Sequence, residues 1–145
     1  YDYTLKCITP DHLILGNHES DLQQFIVTVN KSTHETKKCY LPSGFSKYAH
    51  AEMVFVNGKV YTFISDNSKA SVYTFDPHLP QFSDKLAEID SNYLSEYKVR
   101  GSGIYFRKRF HEDGKISLAF FDVADLSIKT AKTFTTATLM EKLEE

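Results

Sequence analysis

Ala51-Glu52-Met53-Val54-Phe55-Val56-Asn57-Gly58-Lys59-Val60-Tyr61-Thr62-Phe63-Ile64 reads as two apolar strands joined by a two-residue turn. Asn-Gly between such runs favours a tight hairpin, because both turn positions need positive φ and these two residues tolerate it best. Beyond it, Asp66-Asn67-Ser68 reads as a turn, Ser71 to Phe75 as a third strand and Asp76-Pro77-His78-Leu79-Pro80 as another turn. Lys85 to Ile89 then makes a fourth strand. The two prolines forbid ladder pairing in the preceding turn.

The same order of strands and turns recurs on both sides. Asn30, Asp76 and Asp122 close the third strand of three successive meanders and stand 46 residues apart. Val29, Phe75 and Phe121 share a phase there, as do Ile26, Val72 and Leu118. The same spacing places Leu5, Ala51 and Tyr97 in one phase of the first strand, and Cys7, Met53 and Val99 in another. The second strand needs small offsets, so the loop after it varies in length. A four-stranded repeat of 40 to 50 residues is the mark of a propeller blade. The expected fold is therefore all-β: three four-stranded antiparallel meander units of about 46 residues, twelve strands in all, the blades of a partial (half) β-propeller. The units fall at approximately 1–44, 45–91 and 92–136, with a short helix-prone tail at 137–145. They form a single domain or part of a larger propeller.

Ala49-His50-Ala51 through Phe63, followed by Val72-Tyr73-Thr74-Phe75-Asp76-Pro77, resembles a blade of the kelch-repeat β-propellers, with the best match over residues 49–89. Phe82 stands where that family often places tryptophan, and Ile64-Ser65 replaces its double glycine. The resemblance implies a scaffold or adaptor role, in some members substrate recruitment for ubiquitin ligases. Propellers close with about four to eight blades. Three leave two apolar faces without neighbours, so the ring is expected to be completed by a second copy in a homodimer or by remaining blades of a longer protein.

Composition narrows the classes of partner. Seventeen basic and nineteen acidic side chains give a net charge of −2, which supplies no field for nucleic acid. The longest apolar runs, such as Leu118 to Phe121, are strand length and fall short of the roughly 20 residues of a membrane span. The chain opens at Tyr1 without a leader, as expected of a segment of something longer or a processed product. Cys7 and Cys39 suit buried thiols on strands, their pairing left open, and this usage favours an intracellular setting. Asn30-Lys31-Ser32 is a glycosylation sequon at a predicted turn.

Little in the chain suggests catalysis or a cofactor. The histidines lack metal-ligand spacing, no nucleophile elbow or phosphate-cradling loop occurs, and the Glu112-Asp113 and Asp122-Asp125 pairs fall in turns. The expectation is a non-enzymatic, cofactor-free domain that binds a protein of unknown identity. Candidate contacts are the aromatics of the connections between units, Phe45, Tyr48, Tyr93 and Tyr97. They are joined by His18, Asn67 and His111 in loops of the same rim, and by Arg107 and Arg109 in the one local concentration of positive charge. An up-and-down β-barrel carrying a small apolar ligand fits the length as an alternative.

Overall fold

A computed structural model of the chain describes residues 3–17, 24–66, 69–89, 97–110 and 115–135. These residues form thirteen strands: β1 (Tyr3–Ile8), β2 (His12–Asn17), β3 (Phe25–Asn30), β4 (Thr36–Tyr40), β5 (His50–Val56), β6 (Lys59–Asp66), β7 (Lys69–Asp76), β8 (Gln81–Phe82), β9 (Ala87–Ile89), β10 (Tyr97–Arg100), β11 (Gly103–Phe110), β12 (Lys115–Asp122) and β13 (Ser127–Thr135). They pair as three separate antiparallel sheets, in the orders β1-β2-β3-β4, β5-β6-β7-β8 with β9 also on β7, and β10-β11-β12-β13. One closed barrel, the alternative raised by chain length, is not how the described strands pair.

The turns follow from the residues that occupy them. Asn57 and Gly58 take φ of 50° and 77°, as a two-residue hairpin requires. The repeated Asn30, Asp76 and Asp122 have a common job. In each, the side-chain Oδ1 accepts a hydrogen bond from the backbone N–H two residues on, at Ser32, His78 and Ala124, at 2.9 Å in all three. A short side chain with an oxygen at that distance mimics a backbone turn, so the residue type ends the third strand and starts the reversal. β3, β7 and β12 accordingly end at these three positions.

Two sequence expectations need correction. The fourth strand of the middle unit is split into β8 and β9 rather than running from Lys85 to Ile89, which makes thirteen strands and not twelve. Ser83 causes the break: its N–H donates to the Thr74 carbonyl and its Oγ accepts from the Thr74 N–H, holding a bulge before Leu86 donates to Val72 O. The first strands also do not keep the 46-residue phase. Pairing aligns Ile8, Phe55 and Val99, opposite Leu13, Val60 and Ile104, which in turn lie opposite Val29, Phe75 and Phe121. The connection from second to third strand differs in length between units, and that offset is carried back through the whole first hairpin. Cys7 thus corresponds to Val54 and Lys98, which pair with Ile14, Tyr61 and Tyr105, rather than to Met53 and Val99.

The sheets stack face to face through two apolar cores. Side chains alternate along each strand, so the middle sheet has one face for each neighbour. Its rear face, with Ala51, Met53, Val60, Ile64, Tyr73 and Phe75, packs on Cys7, Ile14 and Ile26 of the first sheet. Its forward face, with Val54, Val56, Tyr61, Phe63, Ala70, Val72 and Ile89, packs on Ile104, Phe106, Ala119 and Phe121 of the last. Across the first junction β1 runs beside β5. Both cysteines are free thiols; burial pushes Cys7 up to about 11.

At the second junction Phe63 and Phe121 meet edge to face, with centroids 5.7 Å apart. Phe121→Ala is expected to cost about 3–5 kcal/mol in urea unfolding. A double-mutant cycle with Phe63→Ala should leave a coupling of about 0.5–1.5 kcal/mol; additivity would mean that the rings do not interact. At the first junction the fully buried Thr62 hydroxyl finds no hydrogen-bond partner among the described residues. Thr62→Val should therefore raise stability by about 1 kcal/mol, read from the urea midpoint at constant slope.

Candidate partner-binding surfaces

Four of the residues expected from sequence to bind a partner, His18, Asn67, Tyr93 and His111, lie outside the described residues. Tyr97 begins β10 opposite Phe106. Arg107 and Arg109 stand on β11 opposite Leu118 and Ile116, in the same alternation as Tyr105. Phe45 and Tyr48 lie in the connection from β4 to β5 but have different roles. Phe45 is half-buried, its ring edge-on to Tyr73 at 6.3 Å, and it seals the first core. Tyr48 is 76% exposed.

That exposure is supported by a pinned backbone. Ser46 donates from N and Oγ to the two carboxylate oxygens of Asp66, both at 2.8 Å, while Gln24 Nε2 donates to the carbonyls of Lys47 and Ala49. Both neighbouring sheets hold the connection, leaving the Tyr48 ring outside with Lys47 Nζ 5.2 Å from its centroid. A large, rigid aromatic with a polar tip on a fixed loop is the usual anchor of a protein contact.

The sequence leads to two outer faces without neighbours; the structure shows which residues line them. Ile26 and Val72 are 2% and 0% exposed, yet Leu118, at the corresponding position of the last sheet, is 39% exposed. The Val29, Phe75 and Phe121 series runs the other way: the two phenylalanines are buried and Val29, on the first sheet, is half-exposed. The first sheet therefore opens its rear face, with Leu5, Ile8, Leu13, Leu15, Val27 and Val29, Leu5 and Ile8 being about half exposed at 50% and 53%. The last sheet opens its forward face, with Leu118 beside Tyr105 and Phe120, whose rings lie 4.7 Å apart. Exposed apolar side chains grouped on one sheet face make a candidate interaction surface.

A third feature lies at the opposite end of the sheets from the Tyr48 connection. In the first and last units the residue after the turn-forming Asn or Asp donates its N–H across to the preceding hairpin, Lys31 to Asp11 O and Val123 to Ser102 O, both at 2.9 Å. In the middle unit that residue is Pro77, which has no N–H. A cleft of about 460 Å³ opens there, lined by Thr9, Asp11, Phe55, Gly58, Phe75 and His78 among others. His12, only 4% exposed, meets the His78 ring edge-on at 4.7 Å and lines a smaller cavity on the other side of it, with Thr28, Asn30, Glu35 and Lys37. Its Nδ1 has no hydrogen-bond partner among the described residues. The signal for this pairing, Pro77-His78 facing the Asp11-His12 turn, was present in the sequence but spans two units.

No protein-family model and no curated protein matches this chain. Among the described residues no group of three or more His, Cys, Asp or Glu side chains is placed to hold a metal ion, and no helix is long and apolar enough to cross a membrane.

Burial, and then the proximity of His78, hold the His12 pKa below its usual 6.5, with Lys37 adding to the depression and Asp11 and Asp76 opposing it. A histidine depressed in the folded state takes up its proton more readily when unfolded. Its contribution is therefore flat above about pH 6.5 and turns unfavourable as pH falls below that value. Urea midpoints should decline from pH 7.5 to 5.5 in the native chain and decline less in His12→Leu. Parallel profiles would place the titration elsewhere.

Proposed function

We propose that this chain is a segment of a kelch-like β-propeller that acts as a non-enzymatic protein-interaction scaffold or adaptor, its ring completed by a second copy or by further blades of the same protein. The observation that carries this reading is the repeat of burial: equivalent positions are buried where a neighbouring sheet exists and exposed where none does. Radial stacks of four-stranded meanders behave in this way because each sheet needs cover on both faces. The adaptor role rests on the resemblance over residues 49–89 and on the anchored, exposed Tyr48. Tyr48 is the side chain best placed for a heterologous partner.

Affinity capture with the native chain and with Tyr48→Ala tests the role. At least one protein other than the chain itself should be retained by the native form and reduced about tenfold or more by the substitution, as expected for an aromatic anchor worth over 1.4 kcal/mol. The melting temperature should be unchanged. Retention of the same proteins by both forms would remove Tyr48 from the contact, and capture of nothing but the chain itself would sink the adaptor role.

A further inference from the structure

Every internal junction in this molecule joins a forward face to a rear face. Ile14 and Ile26 of the first sheet meet Val60 and Phe75 of the middle one. Phe63 and Val72 of the middle sheet meet Ile104 and Phe121 of the last. What remains open is one rear face, on the first sheet, and one forward face, on the last. The chain therefore displays both halves of the junction it has already made twice.

Resting on the propeller reading above, we propose that the occupant of both faces is a second copy of this chain. The forward face of each copy, around Leu118, Tyr105 and Phe120, packs on the rear face of the other, around Leu13, Val27 and Val29. The two contacts form together under one two-fold rotation, so neither copy is left with an open face and the assembly does not propagate into a filament. Three sheets from each copy make six, inside the range in which propellers close. Lys98 stands where the other units have Cys7 and Val54, and a lysine stem covers apolar surface while its ammonium reaches the edge.

The internal junctions also specify the new contact by residue. Phe63 lies opposite Val72, and Arg107 lies opposite Leu118, so Arg107 holds the register position of Phe63. Val29 holds that of Phe121. Since Phe63 and Phe121 are 5.7 Å apart between centroids, position 107 of one copy is expected next to position 29 of the other.

Light scattering of the native chain is expected to give twice 16.6 kDa across a hundredfold range of concentration. Val29→Arg and Leu118→Arg should each give a monomer, because a second cation would be buried beside position 107, itself an arginine, with no counter-charge. In a Cys39→Ser background, Val29→Cys chains mixed with Arg107→Cys chains should form a disulfide between copies under oxidation, while neither variant alone does so. This second measurement does not depend on the charged variants staying folded. A native chain that is monomeric throughout overturns the proposal; if it still captures a Tyr48-dependent protein, the scaffold reading stands without it. A dimer in which positions 29 and 107 do not cross-link overturns the assignment of faces. Cross-linked dimers that capture no other protein leave the proposal standing and the adaptor role refuted.

Discussion

The middle sheet is buried on both faces, and the rest of the molecule is arranged around that fact. A strand alternates its side chains between two faces, so a sheet with apolar residues at nearly every position cannot be satisfied by a single core. β6 shows this most plainly: Val60, Thr62 and Ile64 point to the first sheet while Tyr61 and Phe63 point to the last, and all five are buried. The outer sheets exist in this arrangement as cover for the middle one. They carry the same residue pattern themselves, which is why each retains an apolar face of its own.

Local chemistry sets the rhythm of the chain, and packing sets the meaning of each position in it. Asn30, Asp76 and Asp122 recur because a side-chain oxygen that accepts the amide two residues on is an efficient way to end a strand. Departures from the rhythm coincide with irregular features. Pro77 removes the cross-hairpin hydrogen bond that Lys31 and Val123 make, and a cleft of about 460 Å³ lies at that point. Ser83 interrupts the fourth strand of the middle unit by bonding twice to Thr74.

Third strands were easiest to read, because the turn that ends them is encoded by one residue type at constant spacing. First strands were misphased. Their register is inherited through the variable connection between second and third strands, whose length does not affect local propensity but shifts every pairing upstream. Phe45 and Tyr48 looked alike as aromatics of one connection, yet one ring packs on Tyr73 while the other is exposed. Nothing in their neighbourhood of sequence separates them, since Asp66 and Gln24, which fix the loop, are about twenty residues away on either side.

The sequence by itself determined an all-β chain of three antiparallel meanders and the turns that end their third strands, because alternation and turn chemistry act over a few residues. Only the tertiary structure decided which face of each sheet is covered. Leu118 and Val72 occupy equivalent positions with similar apolar side chains, and one is exposed while the other is sealed. That difference depends on whether another sheet lies in front, and a sheet-to-sheet contact is long-range in the chain. The local pattern fixes what each face needs; the presence of a neighbour decides whether the need is met.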